Sequence, residues 1–141
     1  MTSLPLPALL KNSDEASFSV PPTSITGLTA DSREVRTGYL FAAMPGVARD
    51  GRDYIVDAIT KGAAALLVPA ETPAFDAPAS VAVIRAKEPR LTLAHMAANF
   101  YPAQPTTIVA VTGTSGKTST VQFTREIWQT LGAKSASIGT L

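Results

Sequence analysis

The sequence predicts an α/β fold in two parts: a small N-terminal α/β sandwich domain, then the truncated start of a second α/β domain, consisting of a strand, a glycine-rich loop, a helix and a strand. Apolar runs with the length of buried strands alternate along the chain with segments of helical periodicity. Because parallel neighbours need crossover connections, this alternation favours a mainly parallel sheet. Pro102 and Pro105 interrupt the pattern and mark the expected domain boundary.

The composition allows a buried core and excludes several kinds of function. Of the 141 residues, 45% are hydrophobic and 16% are charged, with a net charge of +1, which argues against disorder and against a polybasic nucleic-acid-binding surface. The chain has no cysteine, so disulfides, thiolate metal sites and a cysteine nucleophile are excluded. It also has no secretory signal pattern and no apolar run of about 20 residues, so we expect a cytoplasmic protein without a membrane segment.

The first domain is expected over residues 23–103, after a leader at residues 1–22 that shows no chemistry. Asp53 is a plausible N-cap for a helix that ends near Gly62. A second helix is predicted over residues 89–101, with proline in its first turn. Residues 24–30 favour an extended segment, and apolar runs bounded by turn residues predict strands at residues 39–44, 64–68 and 81–84.

Polar residues follow the first two predicted strands. Asp31, Ser32 and Arg33 come directly after the first, and the loop after the second contains Arg49 and Arg52. A polar loop at the end of a strand is typical of a binding site. Both segments also have a simpler interpretation: the first can be a turn that bonds to its own backbone, and the second can be an exposed connection instead of a wrap around a nucleotide's phosphates. The sequence leaves both alternatives open.

A glycine-rich stretch in the second domain has the order and the chemistry of a P-loop. The β-branched run from Thr106 to Val111 predicts a buried strand, and helical spacing resumes near Lys117. Gly113 and Gly116 can adopt backbone angles that expose consecutive N–H groups, and the positive end of the helix faces the same point. Lys117 would reach the terminal phosphates, and Thr118 has the position that coordinates Mg²⁺ in such loops. The predicted phosphate-binding residues are Gly113, Thr114, Ser115, Gly116, Lys117, Thr118 and Ser119.

The loop departs from the general P-loop pattern at one position. The pattern G-x-x-x-x-G-K-[ST] requires glycine where this chain has Val111, and the first glycine comes at residue 113 instead. A generic P-loop NTPase or kinase would carry the earlier glycine, so Val111 argues against that class. An ordinary strand-to-helix turn is a further alternative, but the Lys-Thr pair directly after Gly116 favours phosphate binding.

The second domain is expected over residues 104–141. Its first helix has Phe123, Ile127 and Leu131 on one face, and a second strand is predicted over residues 134–138. A P-loop domain needs several more strands and an acidic Mg²⁺ ligand. The sequence therefore has the organisation of a fragment of a larger protein.

Taken together, these motifs resemble those of the Mur ligase family. The loop at residues 112–118 is similar to the family's nucleotide loop, in which the early glycine is also absent. The segments at residues 31–33, 38–43, 50–55 and 62–64 resemble its UDP-binding N-terminal domain in order and spacing. The Asp-Ser-Arg and Asp-Gly-Arg combination looks like the MurE type, which adds the third amino acid to UDP-N-acetylmuramoyl-L-Ala-D-Glu in peptidoglycan synthesis. The MurF type is the nearest alternative.

The resemblance implies an ATP-dependent, amide-forming reaction through an acyl phosphate. Carried over by position, Lys117 would be catalytic, residues 113–119 would bind ATP, and Thr118 would hold Mg²⁺. The implied UDP contacts are Ala30, Ser32, Val47, Ala48 and Arg49, although residues 47–49 depart from the family pattern.

The implied partners are UDP-N-acetylmuramoyl-dipeptide and a free amino acid, whose identity the sequence does not specify. No nucleic acid or membrane is implied, and we expect a monomer. The family's other site residues would lie beyond Leu141, so the 141 residues alone are expected to have no ligase activity. The competing hypothesis of another class is a non-catalytic UDP-sugar-binding module with a vestigial P-loop.

Overall fold

A computed structural model describes residues 3–11, 17–19, 24–46, 49–103 and 105–139, with backbone only for residues 17–19. The chain divides into two compact units, Met1–Ala103 and Gln104–Leu141. In the described segments, no helix combines the length and the apolar character needed to cross a bilayer.

The first unit is built on a five-stranded sheet in the order β2-β7-β6-β5-β4. Four of these strands are mutually parallel: β4 (Gly27–Thr29), β5 (Tyr39–Ala42), β6 (Ala65–Pro69) and β7 (Ala82–Ala86). At one edge, β2 (Ser17–Ser19) runs antiparallel to β7. A separate two-stranded ladder joins β1 (Leu4–Pro5) to β3 (Ser24–Ile25). The α/β class with a mainly parallel sheet, predicted from the sequence, is confirmed.

Helices flank this sheet. They are α1 (Leu6–Leu9), α2 (Ile55–Thr60) and α3 (Pro89–Phe100), and a short 3-10 helix over Gly51–Tyr54 leads into α2. The prediction that Asp53 is an N-cap is wrong, because Asp53 lies inside the 3-10 helix. Asp50 caps that helix instead, and its carboxylate accepts the Arg52 N–H at 2.9 Å.

The two faces of the sheet bury separate cores, because consecutive residues of a strand point to opposite sides. One core joins the sheet to α1 and α3, and its fully buried members include Leu6, Leu9, Leu40, Leu67 and Met96. The other joins the sheet to α2 and includes Phe41, Ala58, Leu66 and Val68. The unit is thus a three-layer sandwich in which β5 and β6 contribute to both cores.

Residues 4–9 and 17–19, which were predicted to lie in a leader, contribute β1, α1 and β2 to this unit. Leu6 and Leu9 are fully buried despite the neighbouring prolines, because the first turn of a helix tolerates proline. The Asn99 side-chain amide of α3 donates to the carbonyls of Leu9 (3.0 Å) and Lys11 (2.8 Å). The N-terminal segment is therefore bound to α3 by apolar packing and by polar contacts.

The second unit contains one long helix, α4 (Lys117–Thr130). The predicted strands at residues 106–111 and 134–138 are wrong for this structure, since neither segment forms a ladder among residues 105–139. A strand is stabilised by hydrogen bonds to a neighbouring strand, and β-branched composition cannot replace that neighbour. The predicted apolar face of the helix is also exposed: Phe123 by 63%, Ile127 by 59% and Leu131 by 77%.

Candidate functional site

The first unit has a cavity at the carboxyl ends of β4 and β5. Its volume is about 530 Å³, within the usual range for small-molecule sites. In sheets of this kind, ligands bind outside the carboxyl ends of the strands, where the following loops supply polar groups. The lining includes the predicted contacts Ala30, Ser32 and Arg49. The structure thus brings these three residues together; Val47 and Ala48 lie outside the described residues.

The loop after β4 is a turn closed by its own side chains. Asp31 Oδ1 accepts the Arg33 backbone N–H at 2.9 Å, and the Arg33 guanidinium binds the same carboxylate through Nε (2.9 Å) and Nη2 (2.5 Å). The Thr29 hydroxyl oxygen accepts the Asp31 N–H at 3.0 Å. The self-bonded turn that the sequence left open as an alternative is therefore present, and it also lines the cavity. The two interpretations are compatible.

This pairing lowers the pKa of Asp31 to about 2, through the hydrogen bonds that the Arg33 side chain and backbone N–H donate to the carboxylate. A lowered native pKa means that the contribution of the pair to stability is present above the unfolded-state pKa and is lost as the pH falls toward the native one. We expect NMR titration of the Asp31 carboxyl carbon to give a midpoint near 2. In Arg33→Met the midpoint should rise toward the ordinary value of about 4.

Arg36→Met is the matched control for that titration, since it removes an exposed arginine that does not line the cavity. It should leave the Asp31 midpoint unchanged. A similar midpoint in wild type and in Arg33→Met would show that the side-chain pair does not set the pKa.

A lysine from the end of α2 also contacts this turn. Lys61 Nζ donates to the Ser32 carbonyl at 2.8 Å and forms an ion pair with Asp57 at 2.8 Å. The contact spans 29 residues of sequence. The backbone at the predicted UDP contact Ser32 is therefore supported from outside its own loop.

The loop after β5 is narrow and is closed by backbone hydrogen bonds. Gly46 N–H donates to the Arg49 carbonyl at 3.0 Å, and Gly51 N–H donates to the Met44 carbonyl at 2.9 Å. At both glycines, a Cβ atom would lie 2.7 Å from a backbone oxygen of this loop, so the close approach requires glycine. Asp50 and Arg52 then repeat the Asp-x-Arg pairing, with a 2.5 Å ion pair.

Two arginines give the cavity an excess of positive charge. Arg49 donates to the Tyr54 hydroxyl at 3.3 Å, and Arg90 donates to the Pro45 carbonyl at 2.9 Å. Neither forms an ion pair with a carboxylate in the described part of the chain, whereas Arg33 does. An anionic group suits this arrangement.

Tyr54 and Arg90 were missed as cavity residues by the sequence analysis. A signal for Arg90 was available, because a helix that directly follows a parallel strand begins at the carboxyl edge of the sheet. Arg90 is the second residue of α3, shortly after β7 ends.

In the second unit, the glycine-rich loop leads directly into α4. Gly113 (φ 149°) and Gly116 (φ 75°) both have positive φ, and the helix begins at Lys117. The Lys117 ammonium donates to the Gly113 carbonyl within the same loop. The first-turn amides of a helix have no intrahelical acceptors, so this end of α4 can bind an anion. The predicted residues 113–119 thus form the loop and the start of the helix.

The hydroxyl of Thr118 differs from those further along α4. Thr120, Thr124 and Thr130 donate to carbonyls four residues earlier, at 2.8–2.9 Å. Thr118 makes no such bond among the described residues, so its oxygen can act as a hard ligand of the kind that Mg²⁺ prefers. No group of three His, Cys, Asp or Glu residues suited to a metal occurs in the segments that the structure describes. The described residues therefore offer Mg²⁺ one candidate ligand, the Thr118 hydroxyl oxygen.

Comparisons with known proteins give a consistent result. The family model "Mur ligase family, catalytic domain" matches residues 24–101. The chain is 50% identical over 116 residues to the UDP-N-acetylmuramoyl-L-alanyl-D-glutamate–2,6-diaminopimelate ligase of Brucella melitensis, covering 82% of this chain and 23% of that protein. It is 49% identical over 124 residues to the enzyme of the same name from Caulobacter vibrioides, covering 88% and 25%. The chain spans about a quarter of the length of these curated relatives.

Solved structures of similar fold include MurF ligases. The Thermotoga maritima MurF ligase in complex with ADP has a TM-score of 0.59 and 30% identity, covering 73% of this chain and 23% of that one. MurF from Acinetobacter baumannii has a TM-score of 0.57 and 22% identity, covering 70% and 21%, a likeness that shows the fold alone.

Proposed function

This chain belongs to the Mur ligase family, and we propose that it is the N-terminal part of an ATP-dependent ligase that joins 2,6-diaminopimelate to UDP-N-acetylmuramoyl-L-alanyl-D-glutamate. The amino acid is proposed from the names of the curated relatives at about 50% identity. The MurF type is the second candidate, and the 30% identity to the Thermotoga maritima enzyme supports it less strongly. The proposed partners are two small molecules, and the proposed state is a cytoplasmic monomer.

In this proposal the cavity of the first unit binds the UDP part of the substrate. The observation that carries it is the pair of arginines, Arg49 and Arg90, which line one cavity without carboxylate partners in the described part of the chain. A nucleoside diphosphate supplies both the negative charge for these groups and a base of suitable size for the cavity. Ala30, Ser32, Val47, Ala48 and Arg49 are the proposed UDP contacts.

The glycine-rich loop of the second unit is the proposed ATP site. Backbone N–H groups of residues 113–119 would bind the phosphates, and Lys117 would stabilise the charge that develops on the transferred phosphoryl group. Thr118 would provide one oxygen ligand to Mg²⁺, which supplies neutralisation of phosphate charge when bound. The substrate carboxylate would take the γ-phosphoryl group from ATP, releasing ADP. The incoming amine would then displace phosphate to form the amide. The remaining ligands and the amino-acid site would come from the rest of the longer protein.

Titration of the 141-residue chain with UDP tests the first part of the proposal. We expect saturable NMR shifts for residues around the cavity, and weaker effects with CDP or ADP. Ala30→Phe, which fills the cavity from its exposed rim, should abolish these shifts. Ala79→Phe adds the same bulk at an exposed position outside the cavity and should leave them intact.

Two results would contradict the proposal. One is a folded chain that shows no shift at millimolar UDP. The other is undiminished UDP binding in Ala30→Phe, which would place the nucleotide elsewhere.

A further inference from the structure

Arg90 connects two distant parts of the first unit. It is the second residue of α3, and its Nη2 donates to the Pro45 carbonyl, 45 residues earlier in the chain, at 2.9 Å. Pro45 lies at the base of the loop after β5 and forms an antiparallel bridge with Asp50 at the other side of that base. The start of α3 therefore supports the point at which this loop leaves the sheet.

The Pro45 carbonyl takes no part in the backbone hydrogen bonds that close the loop. The loop closes itself through Gly46 N–H to the Arg49 carbonyl and Gly51 N–H to the Met44 carbonyl. Neither bond uses the Pro45 carbonyl, and proline has no N–H to donate. Arg90 is thus the donor that the described residues provide for this carbonyl.

Two other arginines near the cavity, unlike Arg90, form ion pairs within their own loops. Arg33 binds Asp31 and Arg52 binds Asp50, in each case two residues away. Such local pairs shape a turn but do not fix its position relative to the rest of the unit. The contact of Arg90 can fix such a position, because it joins a helix to a loop that carries the cavity residue Arg49.

We propose that Arg90 is a positioning residue of the cavity: through the Pro45 carbonyl it holds the base of the loop after β5, formed by Pro45, Gly46, Asp50 and Gly51, in place beside the nucleotide. The identity of the ligand rests on the function proposed above. The positioning itself does not, because the contact is present in the chain alone.

The test compares Arg90→Met, which removes the donors, with Arg90→Lys, which keeps a charged donor on a flexible stem. Arg36→Met is the control, because it makes the same change at an exposed arginine outside the cavity. Binding of UDP and of uridine to the 141-residue chain is measured by NMR. We expect Arg90→Met to weaken uridine about fivefold and UDP by at least the same factor, because UDP also loses the positive charge of Arg90, and Arg90→Lys to stay within about twofold of wild type.

Amide hydrogen exchange without ligand provides a readout that is independent of the nucleotide. Exchange at Gly46 and Gly51 should be faster in Arg90→Met than in wild type, while exchange in β6 stays unchanged. Arg90→Lys and Arg36→Met should both behave as wild type.

The outcomes separate the two proposals. If wild type binds neither UDP nor uridine, the proposed function fails, and the exchange rates at Gly46 and Gly51 still decide the role of Arg90. Loss of UDP affinity with unchanged uridine affinity would overturn positioning in favour of a direct contact with the phosphates. Wild-type exchange and affinity in Arg90→Met, or equal losses in the lysine and methionine variants, would also overturn it.

Discussion

Lys117→Met in the full-length protein is expected to lower the rate of amide formation by at least about 100-fold, the usual cost of removing one group that stabilises transition-state charge. Lys117 is the first residue of α4 and its ammonium already lies at the glycine-rich loop, where it contacts Gly113. Methionine keeps most of the side-chain length and removes the charge. Phosphate release that depends on both UDP-N-acetylmuramoyl-L-alanyl-D-glutamate and 2,6-diaminopimelate measures the effect.

Lys134→Met is the matched control, since Lys134 is an exposed lysine of the same unit and lies outside the loop. It should retain the wild-type rate. UDP binding to the first unit should be unaffected in both variants. Wild-type turnover in Lys117→Met would show that the loop is vestigial, in agreement with a binding module whose chemistry lies elsewhere.

Leu67→Ala should destabilise the first unit by about 2–5 kcal/mol, the range for removing a fully buried leucine side chain. Leu67 lies in β6, between β5 and β7, and is 0% exposed. It packs in the core shared with α1 and α3, so truncation leaves a cavity between the sheet and these helices. Urea unfolding, followed by NMR signals of β5 and β6, gives the change in the free energy of unfolding.

Leu91→Ala provides the comparison, because Leu91 is 54% exposed on α3 of the same unit. Alanine is a good helix former, so this change should stay within about 0.5 kcal/mol of wild type. Equal destabilisation by the two substitutions would mean that the core of the first unit is not formed as described.

The four parallel strands of the main sheet could be predicted from sequence, because three coincide with short apolar runs that have clear ends and the fourth lies in a segment that favours extended structure. The antiparallel edge strand β2 was not predicted, since it lies in the expected leader. All five residues of β6 are buried, as expected for a central parallel strand covered on both faces. The start and end of α3 were also predictable, since Pro89 is favoured in a first turn and Pro102 cannot continue a helix.

The incorrect predictions share a physical cause: a local sequence pattern does not indicate which residues far away in the sequence will pack or pair with it. The run from Thr106 to Val111 has strand composition, yet it forms no ladder within residues 105–139. Residues 1–22 were expected to be a leader before the first domain, whereas burial of Leu6 and Leu9 against α3 makes the short helix α1 part of the first unit. The contact of Arg90 with Pro45 depends on the fold bringing α3 to the carboxyl edge of the sheet.

Three of the UDP contacts that the resemblance to the Mur ligase family implied come together in the structure. Ala30, Ser32 and Arg49 come just after β4 or β5, and they meet at one cavity. Tyr54 reaches the same cavity from a 3-10 helix whose start was predicted three residues too late, with the N-cap at Asp53 instead of Asp50. Whether the predicted contacts bind UDP stays a prediction until the titration is made.

The pairing of β2 with β7, and of α1 with α3, determines when this unit can fold during synthesis. Ser17 pairs with Arg85, and the Asn99 contact with Leu9 spans 90 residues. The N-terminal segments of the unit therefore have no partners until β7 and α3 have been synthesised. Closing such long loops is slow, and apolar segments exposed in the meantime are prone to aggregate. On the ribosome, Leu6 and Leu9 would therefore stay uncovered until α3 emerges. A nascent chain halted before Pro89 would be a natural target for chaperones.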